Sequence, residues 1–215
     1  MTPWKVEATA EDFERLKTSE RFAALLSLGR IANLLRSTLS LAMPNDAAVE
    51  TVANRSAMSA TLLLAGLIAE ALPSLEEYAR HWKSLRAYRE LVVPLTTDPV
   101  RKSLMDQWLR PFRNQAVFHN DPVVSIEGLK LLTPKVPQVL AEGTTDTILD
   151  VYYPASDALA VTYLIQNAGA AEAPIDFINA SVANVVSYAR RICETLDAII
   201  IQGFSELRFK WSDSD

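Results

Sequence analysis

Two long stretches in which apolar residues recur every three or four positions constrain the fold of this chain most. The first begins at Ser19, and its apolar residues are Phe22, Leu25, Leu26, Ile31, Leu34, Leu35, Leu39 and Leu41. The second begins at Ile175 and ends near Leu207. Such spacing places the apolar side chains on one face of an α-helix. Only six of the 215 residues are glycine, which also favours helices, so the sequence predicts an all-α fold.

Residues that start and stop helices define the first part of the chain. Thr9 precedes two acidic residues in T-A-E-D and is a good N-cap. Pro44 ends the first long helix, and a second one is expected from Asn45 or Asp46 to about Leu72.

Similar signals predict two further helices. The S-x-x-E sequence that begins at Ser74 is a capping box, which opens a helix as far as about Val92. Pro94 marks a short break. Asp98 followed by proline then starts a helix that ends before Pro122, because the residue before a proline is pushed out of the helical region.

We expect one α-helical domain over residues 1–215, built as a bundle of about six helices. Residues 122–153 are expected to form a long proline-rich connection that contains a short helix around Ser125–Leu132. Within the same connection, Ile148–Tyr153 is either a short strand or simply extended. The tail at residues 209–215 is expected to be frayed.

Cysteine and histidine are too rare for several kinds of site. Cys193 is the only cysteine, so an internal disulfide is impossible, and its apolar surroundings predict a small buried side chain. With two histidines in the chain, the sequence predicts neither a metal site nor another cofactor. The glycine motifs of P-loop, Rossmann and α/β-hydrolase proteins are missing as well.

The apolar runs of the sequence are too short for a bilayer. The longest ones, Thr61–Ile68 and Ala198–Ile201, fall well short of the roughly 20 residues that a membrane-spanning helix needs. The first residues also lack the apolar core of a signal peptide. We therefore expect a cytoplasmic protein without a membrane partner.

Charge is unevenly distributed along this chain, whose net charge is −5. Residues 80–113 contain eight basic and three acidic residues, so this basic band carries +5 and the remainder −10. Such a band predicts a surface that attracts anions. The alternative is that the basic residues lie on solvated helix faces and that Trp108 belongs to the core.

The segment R-N-Q-A-V-F-H, residues 113–119, combines side chains suited to acid–base chemistry on a phosphate. Arg113 offers a forked, permanently charged donor, and Asn114 is placed to orient it. His119 can hold or release a proton near neutral pH. On one straight helix, six residues separate Arg113 from His119 by about 9 Å along the axis. A shared site therefore needs a distortion, the reach of the arginine, or a second copy of the helix.

This segment resembles the R-x(4–6)-H motif of the HEPN superfamily, with five residues between Arg113 and His119 and a polar residue, Asn114, directly after the arginine. The resemblance covers the motif and the all-helical layout on both sides of it. HEPN domains are small α-helical bundles, generally dimeric, and in many of them the motif forms a metal-independent endoribonuclease site at the dimer cleft. The resemblance therefore implies a homodimer with Arg113, Asn114 and His119 as catalytic residues.

The activity that the resemblance implies is RNA cleavage by attack of a ribose 2′-hydroxyl on the neighbouring phosphorus. His119 would move the proton and Arg113 would stabilise the transition-state charge. The basic band would guide single-stranded RNA, with Lys83, Arg86, Arg89 and Arg110 as its RNA-binding residues. Interleaved aromatic residues would stack on bases: Tyr78, Trp82, Tyr88 and Trp108. A role as a toxin or phage-defence effector, with an antitoxin or regulatory protein as partner, fits this activity. Two alternatives stay open: a catalytically silent HEPN-like bundle that binds RNA, nucleotide or protein, and an unrelated bundle in which His119 is a partly buried core residue.

Overall fold

The computed structural model of the chain describes residues 4–42, 50–99, 101, 122–131 and 174–213, and the single positions 159, 162, 163, 165, 166 and 172. Helices make up most of this part of the chain, so the predicted all-α fold with about six helices is confirmed. The α-helices are Ala10–Leu16 (α1), Glu20–Ala42 (α2), Glu50–Ala79 (α3), Val93–Thr97 (α4), Pro122–Leu131 (α5) and Pro174–Glu206 (α6). A 3-10 helix at Arg80–Trp82 and a π-helix at Tyr88–Val92 lie between α3 and α4.

The two helices predicted from apolar spacing are present with nearly the predicted bounds. α2 begins directly after Ser19, and α6 ends one residue before Leu207. The buried residues of α6 recur at the spacing that predicted this helix: Val185, Tyr188, Ala189, Ile192, Cys193, Leu196 and Ile199. Burial of one apolar face supplies most of the stability of such a helix.

α3 is one continuous helix of 30 residues, although the sequence predicted a new helix from Ser74. Pro73 lies inside α3 at an exposed position, and its neighbours Leu72 and Leu75 are fully buried. The Ser74 hydroxyl donates to the carbonyl of Glu70 at 3.1 Å, so the predicted capping box is wrong. Packing of the flanking leucines outweighs the backbone hydrogen bond that Pro73 cannot make.

The chain between α3 and α4 is not the regular helix that was predicted as far as Val92. The winding tightens at Arg80–Trp82, passes through a turn, and widens at Tyr88–Val92. The predicted break at Pro94 is also absent, because this proline occupies the first turn of α4, where its missing N–H is tolerated. The helix ends at Asp98, whose backbone is extended.

Thr9 caps α1 as predicted. Its hydroxyl accepts from the backbone N–H of Asp12 at 3.1 Å, and the Asp12 carboxylate accepts from the backbone N–H of Thr9 at 3.0 Å. Arg15 donates to the same carboxylate at 2.9 Å. The hydrogen bond from Arg15, followed by those from Thr9, lowers the pKa of Asp12 to about 2.

The C-terminal tail, predicted to be frayed, contains a strand. Trp4–Glu7 (β1) and Lys210–Asp213 (β2) form an antiparallel two-stranded ribbon. The turn between α6 and β2 places Arg208 at a φ of 64° and lets the Phe209 N–H donate to the carbonyl of Phe204 at 3.2 Å. Helix periodicity cannot reveal this ribbon, because its strands lie at opposite ends of the chain.

A small apolar cluster lies beside the ribbon. Its buried residues are Leu16, Phe22 and Phe209, and Val6, Ala8, Phe204 and Leu207 pack against them. The Phe209 ring lies 5.5 Å from the rings of both Phe22 and Phe204. These contacts hold the end of α6 against the start of the chain.

The chain forms two compact units. The first comprises Met1–Arg36, Glu70–Arg101 and Ala189–Asp215, and the second comprises Ser37–Ala69 and Lys102–Tyr188. The core of the first unit includes the fully buried side chains of Leu25, Leu28, Leu35, Leu72, Leu75, Trp82, Leu95 and Ile192. α2, α3 and α6 each contribute residues to both units. The single domain over residues 1–215 stays a prediction.

In the second unit, α5 corresponds to the short helix predicted around Ser125–Leu132. Gly128 of α5 approaches the backbone of Leu159 so closely that an added Cβ would lie 2.5 Å from the Leu159 carbonyl oxygen. The rest of the predicted connection, including Ile148–Tyr153, lies outside the described residues.

Candidate functional site

The structure describes only part of the predicted site. Four predicted residues lie outside the described ones: Arg110, Arg113, Asn114 and His119. The described chain runs to Arg101 before this segment and resumes at Pro122, the first residue of α5. The other three predicted RNA-binding residues are all described: Lys83, Arg86 and Arg89.

Basic side chains recur at intervals of three residues between α3 and α4. The cationic row consists of Arg80, Lys83, Arg86 and Arg89, and all four are exposed. Buried side chains recur at the same interval: Ala79, Trp82 and Leu85. The 3-10 winding covers only Arg80–Trp82, and a turn and a π-helix follow it. The stretch buries these apolar side chains and leaves the four basic residues in solvent.

Carboxylates of the described residues neutralise little of the charge on the cationic row. Arg86 donates to Glu90 at 2.7 Å, and both side chains are exposed, so the pair contributes little to stability. Arg80, Lys83 and Arg89 make no ion pair with any residue that the structure describes. The row thus retains three uncompensated positive charges with respect to this part of the chain.

Trp82 cannot stack on a base, because its side chain is fully buried, and this corrects the expectation for that residue. The guanidinium carbon of Arg21 lies 4.0 Å from the centre of its ring. Tyr78 and Tyr88 are partly buried, and Trp108 lies outside the described residues. The row therefore presents positive charge to a ligand but little aromatic surface.

Contacts with distant residues hold the irregular stretch in place. Gln202 of α6 accepts a hydrogen bond from the backbone N–H of Ala87 at 3.0 Å, across 115 positions in the sequence. Arg21, which covers the ring of Trp82, is itself paired with Glu206. Tertiary packing, more than local helix propensity, therefore determines where the cations lie.

Two other arginines of the first unit belong to structural ion pairs. Arg101 donates to the carboxylate of Glu76 and to the carbonyl of Thr96. Arg191 donates to Asp98 at 2.7 Å. Because carboxylates already neutralise these charges, we do not include them in the anion-attracting surface.

A cavity of about 350 Å³ lies between α2 and α6 in the first unit. It is lined by Gly29, Ala32, Asn33, Ile200, Ile201 and Phe204, and by the ion pair of Arg36 and Asp197. The hydrogen bond to Asp197 raises the pKa of Arg36. Burial raises the pKa of the nearby Cys193 thiol, which keeps the thiol protonated, as in a small buried side chain and unlike a nucleophile.

No three His, Cys, Asp or Glu side chains in the described part of the chain are grouped so that they could hold a metal ion. In the same residues, no helix combines the length and apolar character needed to cross a membrane.

Arg80 belongs to the cationic row but was absent from the predicted RNA-binding residues. The signal that could have identified it is the R-x-x-K-x-x-R-x-x-R spacing of residues 80–89. In a regular helix this spacing spreads the four side chains around the axis, so the spacing alone does not show that all four are exposed.

Comparison of the chain with protein-family models, with curated proteins and with solved structures finds no match. A functional assignment therefore depends on the residues of this chain alone.

Proposed function

We propose that this protein is a HEPN-like, metal-independent endoribonuclease. RNA is held on the cationic row and cleaved by Arg113, Asn114 and His119. The row supports the choice of a polyanionic substrate, because three of its four charges have no carboxylate partner among the described residues. The R-x(4–6)-H motif at residues 113–119 supports the cleavage chemistry.

In this proposal the ribose 2′-oxygen forms a bond to the adjacent phosphorus while the bond from phosphorus to the 5′-oxygen breaks. The products are a 2′,3′-cyclic phosphate and a 5′-hydroxyl end. His119 takes the proton from the 2′-hydroxyl or gives one to the leaving 5′-oxygen. Arg113 stabilises the negative charge that develops on the phosphoryl oxygens, and Asn114 orients the arginine or the phosphate.

A homodimer belongs to the same proposal, because a second copy of the segment would bring an arginine and a histidine together without distorting one helix. A cytoplasmic location is also part of it. So is a role as a toxin or phage-defence effector that an antitoxin or regulatory protein restrains.

The proposal is tested by cleavage of a labelled RNA in the presence of EDTA. We expect the wild type to cleave, and His119→Ala and Arg113→Gln to lose about two to four orders of magnitude in rate. His119→Ala should bind RNA as tightly as the wild type. The triple variant Lys83→Gln, Arg86→Gln, Arg89→Gln should instead lose RNA affinity.

Arg30→Gln is the matched control for the triple variant, because Arg30 is an exposed arginine of α2 without an ion pair to any described residue. Equal cleavage by the wild type and His119→Ala would contradict the proposed chemistry. Binding of RNA by the wild type without cleavage would favour the second candidate, a catalytically silent HEPN-like binding module. The cationic row supports that candidate equally, since binding alone requires no catalytic group.

A further inference from the structure

The cavity between α2 and α6 is formed by one stretch of each helix. Its lining residues recur at intervals of three and four, from Gly29 to Arg36 on α2 and from Asp197 to Phe204 on α6. At a rise of 1.5 Å per residue, each stretch is about 10 Å long. The volume of about 350 Å³ lies within the range of small-molecule sites, so the cavity is large enough for a small organic ligand.

A glycine in the middle of α2 leaves this space open. Glycine is unfavourable inside a helix, and packing does not require one here, because an added Cβ at Gly29 would meet no atom of the described residues within 4 Å. Gly203 of α6 differs, since its added Cβ would lie 2.6 Å from a side-chain carbon of Leu25. Gly29 therefore widens the cavity, as a glycine does where a ligand approaches the backbone.

The two ends of the cavity differ in polarity. At one end Arg36 donates to Asp197, and these side chains keep 46% and 42% of their surface exposed, so a ligand can reach both. Towards the other end, Ile200, Ile201 and Phe204 supply apolar surface from α6. A ligand that matches both ends combines a charged head with an apolar body.

The ion pair of Arg36 and Asp197 determines which charged head fits. A lone carboxylate that bound Arg36 would lie beside the like charge of Asp197, and a lone ammonium that bound Asp197 would lie beside Arg36. A zwitterion satisfies both residues at once, because its carboxylate accepts from Arg36 while its ammonium donates to Asp197. The side-chain amide of Asn33 also lines the cavity, and it can either donate or accept.

We propose that this cavity binds a free amino acid with a large apolar side chain, with its carboxylate on Arg36, its ammonium on Asp197 and its side chain against Ile200, Ile201 and Phe204. This site lies apart from the cationic row. Binding there goes beyond the proposed function and does not depend on RNA cleavage.

The test compares four ligands by NMR titration of the full chain. L-phenylalanine carries both charges and a large apolar group. 2-Phenylethylamine lacks the carboxylate, 3-phenylpropionate lacks the ammonium, and the amino acid glycine lacks the apolar group. We expect L-phenylalanine to bind with a Kd of about 1 mM or below. Each of the others should bind at least about tenfold more weakly, because it loses a charge-assisted hydrogen bond or the burial of apolar surface.

Substitutions in the lining test the position of the ligand. Gly29→Leu fills the cavity and should weaken L-phenylalanine binding at least about tenfold without lowering Tm, because leucine favours a helix and its Cβ has room. Asp197→Asn should weaken binding of L-phenylalanine but not of 3-phenylpropionate, and Arg36→Gln should weaken it but not that of 2-phenylethylamine. Arg30→Gln, an exposed position of α2 outside the lining, is the matched control and should change none of these affinities.

Saturable binding of L-phenylalanine that a folded Gly29→Leu protein loses would support the inference. Equal binding by the wild type and folded Gly29→Leu would overturn it. Equal binding of L-phenylalanine, 2-phenylethylamine and 3-phenylpropionate would overturn it as well, and so would failure of the wild type to saturate with L-phenylalanine below about 10 mM. If Gly29→Leu does not fold, the charge variants decide, since an unchanged preference among the ligands in both Asp197→Asn and Arg36→Gln would overturn the inference.

Discussion

Replacing Gly203 with alanine should destabilise the protein, whereas replacing Gly29 with alanine should stabilise it. Both glycines lie inside long helices, α6 and α2, where alanine is favoured over glycine by about 1 kcal/mol. Their surroundings differ. An added Cβ at Gly29 meets no atom within 4 Å, whereas one at Gly203 would lie 2.6 Å and 2.8 Å from the two terminal carbons of Leu25.

Leu25 cannot easily move away from the new methyl group, because its side chain is fully buried. Overpacking a core of this kind costs about 1–3 kcal/mol, which exceeds the gain in helix propensity. We therefore expect Gly203→Ala to lower the free energy of unfolding by about 1 kcal/mol and Gly29→Ala to raise it by a similar amount. For a chain of this length each change corresponds to a shift in Tm of about 2–4 °C.

Urea unfolding followed by circular dichroism, together with thermal melting, measures both effects. The Leu25→Ala background supplies the control, because it removes the two carbons that the new Cβ would meet. There Gly203→Ala should become stabilising by about 1 kcal/mol, a coupling of about 2 kcal/mol between the two positions. Equal stabilisation by Gly203→Ala and Gly29→Ala in the wild-type background would refute the close approach of α2 and α6 at this point.

Two further predictions concern the ends of helices. Arg208→Gly should stabilise the protein by about 1 kcal/mol in urea unfolding, because φ of 64° is strained for arginine but not for glycine; Arg208→Ala, which keeps the Cβ, should bring no such gain. The Asp12 carboxyl should titrate near pH 2 in an NMR titration, and Thr9→Ala should raise its pKa toward 3.8 but not fully to it, since Arg15 is the larger cause. Because the folded-state pKa is lowered, the stability that this carboxylate contributes is present above about pH 4 and is lost as the pH falls toward 2. The difference in stability between the wild type and Asp12→Asn should therefore shrink over that range. A difference that stays constant would contradict this assignment.

Some of the fold could be predicted because it depends on information within one helix. The spacing of apolar residues located α2 and α6, and the Thr9 signal located the start of α1. The continuity of α3 through Pro73 could not be predicted, because it depends on burial of the leucines around the proline. The ribbon depends on pairing between the two ends of the chain, which no local pattern records.

The candidate site, like the fold, could be predicted only in part. The sequence identified a region rich in basic residues, and its Lys83, Arg86 and Arg89 are exposed in the structure. It placed Trp82 among the residues that could stack on a base, although a position three residues after Ala79 and seven after Leu75 lies on the buried face of a helix. The chemistry predicted for Arg113 and His119 depends on residues that the structure does not describe, so it stays a proposal.

The irregular winding after α3 and the exposure of the cationic row have a common cause. Leu72, Leu75 and Ala79 are fully or almost fully buried on one face of α3. If the regular helix continued, Trp82 would still reach that face, three residues after Ala79 and seven after Leu75, but Lys83 and Arg86 would reach it as well.

Burying two charges without partners would cost far more than distorting one turn of backbone. The irregular winding that begins with the 3-10 helix at Arg80–Trp82 instead places Leu85 on the buried side after Trp82, and it leaves Lys83 and Arg86 in solvent. Burial of Leu85 and exposure of Lys83 and Arg86 are therefore two results of the same change in helix phase. Trp82 fixes this stretch to the core at its start, so we expect substitutions of Trp82 to disturb the cationic row, even though the side chain itself cannot touch a ligand.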